Sequence, residues 1–399
     1  MKSLVTLALI ATAAFAQAPA ASKTFDMYFL DTEGGHSVLY VTPTGQSLLD
    51  DTGSAGDRDH DRIMAALKDA GIKELDYVVL SHYHSDHVGG FDALLKDIPV
   101  KHFIDHGTAH PTDVNVVAGF EKHYSEVVGD KRISVKAGDK IPVTGINALV
   151  VTSHGKVLKT PIAGAAALGA GKPNPACATF EPRDESAVDP DNGNSVGILF
   201  TYGKFRTINL GDYTWNAEKE LMCPNNPIGS IDLFLTSHHG VDASNSPALV
   251  HGLRPRVIVM HNGQRKGGAV QTFNTMYASP GLEDLWQLHW AFGGGTENNA
   301  PGRFIANVEE PAALANAILA PPGRGRGPGG PPPVGAAPAP GAAPATGTVA
   351  APGAGPARGG GRGGRHDGPA FWIKVSARAD GSFTVTNSRN QFTKSYAAK

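Results

Sequence analysis

The chain has 399 residues, 41% of them hydrophobic, and a formal net charge of −2. That is ample for a sizeable core, in one large domain or two ordinary ones. A balance so close to neutral offers no global electrostatic argument for a nucleic-acid partner, and two cysteines are too few for a disulfide-built scaffold.

The first residues have the form of an export signal. Met1-Lys2-Ser3 is a short basic start, Leu4 to Phe15 is an apolar run too short to span a membrane comfortably, and Ala14-Phe15-Ala16 offers small residues to a signal peptidase. A signal peptide over 1–16 is therefore expected, cleaved after Ala16, with a periplasmic or secreted mature protein. The alternative is an ordinary buried strand or helix at the terminus. No other stretch approaches the roughly 20 apolar residues of a membrane-spanning helix, so no span is expected in the mature chain.

Strand-like and helix-like segments then take turns. Thr24 to Leu30 and Ser37 to Val41 read as strands, and Ser47 to Asp51 as a strand running into the turn Asp51-Thr52-Gly53. Asp59 to Ala70 has helical spacing at Ile63, Leu67 and Ala70 and is closed by Gly71. Leu75 to Leu80 is a buried strand ending at a histidine cluster, followed by a short helix, Phe91 to Asp97, and a strand, Val100 to Ile104. Later strands are expected at Ala148 to Val151, Ser195 to Thr201, Arg206 to Leu210, Ile231 to Leu235 and Val257 to Met260. The mixture predicts a layered α/β architecture. Cys177 and Cys223 are expected to form one structural bridge if the chain is exported, or else to be two unrelated buried thiols.

From about Pro321 to Gly368 the chain is almost entirely Gly, Pro and Ala with scattered arginines. Such a segment has too little apolar side chain to offset its ordering entropy and is expected to be a disordered insertion, residues 321–368. Its Arg-Gly character leaves a nucleic-acid contact open, although a soluble linker is the ordinary reading. After it, Phe371 to Val375 alternates, Asp380-Gly381 makes a turn and Phe383 to Thr386 alternates again. This is a hairpin, expected over 370–399 to complete the domain that spans 24–310.

The segment Leu80-Ser81-His82-Tyr83-His84-Ser85-Asp86-His87-Val88-Gly89-Gly90 carries most of the chemical information. A loop leaving a buried strand end holds side chains rigidly, and imidazole with carboxylate suits zinc, iron or manganese. Three histidines and an aspartate within six residues exceed what one tetrahedral ion with a water needs, which points to two adjacent metals. His82 and His84 could face one, and Asp86 and His87 the other. The competing reading is a surface loop with incidental histidines. Asp212, after the strand Arg206 to Leu210, and His238-His239, after the strand Ile231 to Leu235, are two further strand-end sites rich in ligand atoms. A carboxylate at Asp212 could bridge two metals. Its bland alternative is a turn or helix-capping aspartate.

The order Asp51-Thr52-Gly53, His82-Xaa-His84-Xaa-Asp86-His87, Gly211-Asp212 and His238-His239-Gly240 resembles the metallo-β-lactamase fold superfamily. Asn192-Gly193-Asn194-Ser195 before a strand, with Leu210-Gly211-Asp212 and Ser237-His238-His239-Gly240, is similar to the hydrolase domain of ComEC/Rec2-type competence proteins. The resemblance spans about Thr24 to Asn262 plus the final hairpin. It implies a four-layer αββα sandwich with metal at the edge of two packed sheets, expected as two zinc ions, with manganese or iron as alternatives. It further implies that His82 and His84 bind the first metal, that Asp86 and His87 bind the second, and that Asp212 bridges them. His238 is expected to complete the second site and His239 to touch the substrate or leaving group, with the reverse order open. Many superfamily members add a histidine from a His-Thr-Xaa-Gly segment. The matching stretch here, Asp191 to Ser195, has none, so His154 or Asp191 would have to fill that place, or the first metal is held weakly.

The resemblance implies hydrolysis by a metal-bound hydroxide, with Asp86 orienting it, on a phosphoester or phosphodiester. A lactone or β-lactam is the alternative substrate, and a non-catalytic metal-binding protein of the same fold is the alternative of another class. Arg265 and Lys266, in a glycine-rich loop after the strand Val257 to Met260, are candidate substrate anchors or plain solvated residues. Trp286, His289 and Trp290 either line a pocket or belong to the core.

Overall fold

The computed structural model describes residues 23–164, 167–308, 368 and 370–399. The expected signal peptide and all but the last residue of the Gly/Pro/Ala-rich segment lie outside these residues. The first sheet contains β1 (Phe25–Phe29), β2 (Val38–Val41), β3 (Ser47–Asp50), β4 (Leu75–Val79), β5 (Val100–Asp105) and β6 (Arg132–Ser134). The second contains β7 (Lys140–Ile141), β8 (Asn147–Ser153), β9 (Lys156–Val157), β11 (Gly197–Tyr202), β12 (Phe205–Asn209), β14 (Leu233–Leu235), β15 (Val257–Met260), β16 (Asp284–His289) and β17 (Ile305–Asn307). Between them in the chain, β10 (Lys172–Pro173) and β13 (Asn225–Asn226) make a small separate ladder. The last strands, β18 (Ile373–Ala377), β19 (Phe383–Asn387) and β20 (Thr393–Tyr396), extend the first sheet, because β18 pairs antiparallel with β1.

The two sheets face each other. Phe25, Met27 and Phe29 of β1 point into the same core as Ile198 and Phe200 of β11 and Leu233 and Leu235 of β14. The intervening Tyr28 and Leu30 point the other way, onto α1 (Asp57–Asp69), α3 (Phe91–Asp97) and α4 (Phe120–Val128). The second sheet is covered by α5 (Trp215–Met222), α6 (Pro247–Leu253) and α7 (Val270–Tyr277), through Leu221, Leu249 and Phe273. The result is the αββα sandwich. Central strands buried on both faces read as continuous apolar runs, which is why Tyr77 to Leu80 shows no alternation. A core side chain such as Phe200, wholly removed from water, contributes about 1.5–3 kcal/mol by burial.

The helix expected over 59–70 starts at Asp57, where Asp57 and Asp59 favour the positive end of the helix dipole, and Gly71 beyond its end is left-handed. The four helices α4 to α7 were not legible in the sequence, being short and only partly amphipathic. The aromatic segment around Trp286 is a core strand, with Trp286 and His289 fully buried and the Trp286 Nε1–H donating to Tyr396 Oη at 3.1 Å. Cys177 and Cys223 are joined in a disulfide that closes a 46-residue span.

The topology sets the site. β3, β4 and β5 run parallel in the first sheet, as do β12, β14, β15, β16 and β17 in the second. Loops at the carboxyl ends of these strands therefore meet at one edge of the sandwich. Asn209 at the end of β12 donates through Nδ2 to Asp50 Oδ2 at the end of β3, at 2.8 Å, tying the two sheets together there.

Candidate metal centre

Beyond β4, the chain passes Leu80 and Ser81 to His82, and α2 (Ser85–Val88) carries Asp86 and His87 inward. Its exit needs glycine. A Cβ at Gly90 would stand 2.2 Å from the Thr52 carbonyl oxygen, so no larger residue fits that approach. The β12 end delivers Asp212 and the β14 end delivers His238 and His239.

Asp86, His87, Asp212 and His239 form one group, each offering a ligand atom within 4.8 Å of the others. Asp212 Oδ2 lies 3.2 Å from both His87 Nε2 and His239 Nε2, and Asp86 Oδ2 lies 3.3 Å from His239 Nε2. His87, Asp212 and His239 are nearly or fully buried. Burial alone would raise the two carboxyls, but His87 and His239 facing them hold Asp86 and Asp212 well below the usual carboxylate range. Burial would likewise lower His87, yet Asp212, Asp51 and Asp86 hold it well above its ordinary value. The pocket is built to accept positive charge. His87 Nε2, Asp212 Oδ1 and His239 Nε2 have no hydrogen-bond partner, as expected of atoms set aside for a cation.

Of the pair, His239 and not His238 belongs to the ligand group, which is the reverse order that the sequence left open. Both residues are left-handed, at φ 51° and 55°, so the backbone turns sharply between them. The turn sends the His239 ring into the cluster. His238 remains half-buried beside it, with Nε2 3.5 Å from Asp212 Oδ2 and burial lowering its pKa to about 4. Two consecutive non-glycine residues in this region cost on the order of 1–3 kcal/mol each, a strain that recurs at functional sites.

A second layer orients this cluster. Asp51 Oδ2 accepts from His87 Nδ1 at 2.6 Å, which leaves Nε2 turned toward Asp212. Asp51 is itself fixed by the Ser81 N–H at 2.7 Å and the Ser81 hydroxyl at 2.6 Å. This is the carboxylate–histidine arrangement that raises ligand basicity. His36 Nδ1 stands 3.1 Å from the same Asp51 oxygen, and its ring stacks on His87 at 5.5 Å. Sequence reasoning used Asp51 only as part of a turn and passed over His36. The signal available for Asp51 was its place at a strand end. For His36 there was none.

His82 and His84 form the other side. His82 Nε2 and His84 Nδ1 approach to 3.0 Å, and His84 Nε2 is held by Asp113 Oδ2 at 3.0 Å. Burial, with His87 and His84 adding to it, lowers His82 well below its ordinary value and keeps it neutral. His82 also meets His87, ring to ring at 4.0 Å, but contrary to the expectation neither His82 nor His84 belongs to a candidate ligand group among the described residues, because their facing nitrogens are turned on each other and on Asp113. His154 is exposed, its N–H donates to the Asn194 carbonyl at 2.9 Å, and it belongs to none of the ligand clusters. Asp191 is spent as a latch: its carboxylate accepts from the Tyr83 N–H at 3.0 Å, the His110 N–H at 2.7 Å and Asn194 Nδ2 at 3.0 Å. Ser195, where the histidine-bearing segment would pass, accepts the Asp212 N–H through its hydroxyl at 3.3 Å.

Of the two loop cations, Lys266 places its ammonium on Asp86 Oδ2 at the rim of the cluster. Arg265 turns away, its guanidinium 4.5 Å over the Phe292 ring.

Parallel strands thus deliver a buried histidine–aspartate cluster, suited to a metal ion, to one edge of an αββα sandwich. Residues 31–166 match the family described as the metallo-beta-lactamase superfamily. Over 244 residues it is 25% identical to Recombination protein 2 of Haemophilus influenzae, covering 60% of this chain and 24% of that protein. The chain thus spans about a quarter of the length of that relative. Among solved structures, the metallo-beta-lactamase fold protein YhfI of Bacillus subtilis is 11% identical over 66% of this chain and 95% of its own, with a TM-score of 0.40. A diphosphatase of the PhnP family is 14% identical over 60% and 87%, with a TM-score of 0.32.

Proposed function

We propose that the chain is an exported, metal-dependent hydrolase of phosphoesters, with phosphodiesters as its first candidates. The observation that carries this reading is the buried Asp86–His87–Asp212–His239 cluster, whose unpartnered acceptor atoms suit a divalent cation, with Lys266 at its rim. Asp86, His87, Asp212 and His239 would hold one metal, and His82 and His84 with Asp212 a second. Nitrogen and carboxylate donors without thiolate suit zinc, manganese or iron. A metal held there supplies an acidified water as nucleophile and positive charge for the substrate oxygens.

The chain's own groups do the rest. Asp51 holds the His87 tautomer through Nδ1, so that Nε2 is the free donor. Lys266 stands where it can leave Asp86 for a phosphoryl oxygen, which makes an anionic substrate a better fit than a neutral lactone or lactam. His238 stands beside the cluster, neutral and partly exposed, within reach of a leaving group. The similarity to Recombination protein 2 keeps nucleic acid among the candidate substrates. Export is supported by the Cys177–Cys223 bridge, which persists in oxidising compartments. No helix of the described residues is long and apolar enough to cross a membrane.

Metal analysis of purified protein with a substrate panel tests this. Bound metal together with hydrolysis of a bis-aryl phosphate is the expected result. Hydrolysis of a lactone or a chromogenic cephalosporin instead would replace the substrate class. Protein that takes up neither zinc nor manganese and is inert to all three would remove the hydrolase reading.

A further inference from the structure

The edge of the second sheet opposite the metal centre carries a cleft in two connected parts. The smaller, about 510 Å³, is lined by Lys204, Arg206, Arg254, Arg256 and Lys399 with the carboxylate of Asp232, and Lys399 pairs with Glu283 at 2.8 Å. The larger, about 870 Å³, has an apolar wall that includes Leu168, Pro173, Pro175 and Pro280. The two share Leu168, Ser230, Arg254 and Pro280. These sizes match those of small-molecule sites. Arg206 and Asp232 each lie six residues before a metal-centre residue, Asp212 and His238, so the cleft is on the order of 20 Å from that centre.

The charge in the smaller part is not balanced. Arg256 takes up Asp232 at 3.3 Å and Glu283 at 2.8 Å. That leaves Arg206, Arg254 and Lys204. Arg206 is only 2% exposed, and its guanidinium donates to the carbonyls of Ser230 and Ile228. A desolvated cation satisfied by neutral acceptors is costly, and burial pulls its pKa down to about 10 despite Asp232 nearby. Among the described residues, Arg254 and Lys204 have no carboxylate within 4.0 Å. Arg254 also holds a left-handed backbone, φ 51° and ψ 52°, at the end of α6, where glycine is the usual residue. The cleft thus holds a buried arginine without a carboxylate partner, flanked by the exposed Arg254 and Lys204.

We propose that this cleft binds an amphiphilic organic anion, its oxyanion on Arg206, Arg254 and Lys204 and its apolar body along the Leu168–Pro280 wall. Guanidinium groups match phosphate and carboxylate oxygens in pairs, and a wall of proline and leucine accepts carbon without rearranging. The segment that forms much of this wall is fixed from both sides. Cys177 is bonded to Cys223, and the Leu168 carbonyl accepts the Ser230 N–H at 2.8 Å.

The test is calorimetric titration of the metal-loaded full chain with phenylphosphonate, benzoate and inorganic phosphate. Phenylphosphonate and benzoate separate the two oxyanion sources, and inorganic phosphate lacks the apolar body. The organic anions should bind at least about tenfold more tightly than inorganic phosphate. Arg254→Gly and Lys204→Met should each weaken the better organic anion by at least about tenfold, the loss expected for one charged hydrogen bond. Metal content should not change. Because glycine suits the left-handed position, Arg254→Gly should melt no lower than the parent, so lost binding would not be lost fold. Three results would overturn the proposal: no binding by any probe, no preference for the organic anions, or binding that survives both substitutions and disappears when the metal is chelated. The last would place the anion at the metal centre.

Discussion

The two sides of the metal centre are built differently although one short segment of sequence feeds both. The side of His87 draws on four protein ligands from three strand ends, and Asp51 and Ser81 behind it fix the His87 ring. The side of His82 and His84 comes from one loop, and the place from which a third histidine would reach it holds Asn194 and Ser195 engaged in scaffolding. A metal's hold depends on how many rigid donors converge, so a dense motif does not by itself make two equal sites. One tightly held and one loosely held metal is the expectation that follows.

The largest effect should come from removing the carboxylate that faces both His87 and His239. Asp212→Ala should fold, lose at least one equivalent of metal and lower kcat on the order of 10²–10³-fold. Full activity with full metal content would take Asp212 out of the centre and dissolve the comparison. The asymmetry itself is tested by a pair of variants. His239→Ala should abolish tight metal binding, whereas His84→Ala should retain about one tight equivalent and lose only the weak one, as read by metal analysis after dialysis against graded chelator. Equal losses would show the sides to be equivalent. Asp51→Asn should keep the fold and weaken the tight metal by about 10–100-fold, because the His87 ring loses the carboxylate that orients it. His82 binding, lacking that support, should move less.

The smallest effect concerns pH. His87 is held above its ordinary value, so its contribution to metal-free stability is complete below about pH 6.5 and is lost as pH rises through the raised value. Asp86 and Asp212 are held below theirs, so their contribution is present above about pH 4 and is lost as pH falls through the lowered values. His82 and His238 are held below their ordinary value, so they cost stability as pH falls below about 6.5, and metal-free protein should melt highest at about pH 6–7. Metal binds the deprotonated His87, so saturating metal should shift that maximum upward. Melting curves with and without chelator across pH 4–9 check both signs, and a metal-free maximum above neutrality would contradict the charge distribution described.

Much of this was legible in the chain itself. The histidine cluster begins, and Asp212 stands, two residues beyond strand-like runs ending at Leu80 and Leu210, and such runs end where a sheet ends, so local pattern alone placed ligand atoms at strand termini. The alternating segments around Val375 and Val385 likewise marked paired strands. The helices α4 to α7 were obscured because their apolar faces are short and are completed only by the sheet they cover.

What the tertiary structure decided is the division of labour among similar side chains. Local sequence cannot distinguish His238 from His239, because the choice rests on two left-handed residues that tertiary contacts hold in place. Nor can it separate a ligand carboxylate from a latch. Asp191 precedes a strand and Asp212 follows one, yet the first is consumed by backbone N–H groups of distant loops and the second is left with an unpartnered buried oxygen. The sequence by itself determined which donor atoms would be available at this edge of the sandwich, since strand ends are set by local apolar pattern. Which of them face a common point was decided only when two sheets brought their loops within hydrogen-bonding distance, because that depends on partners far apart in the chain.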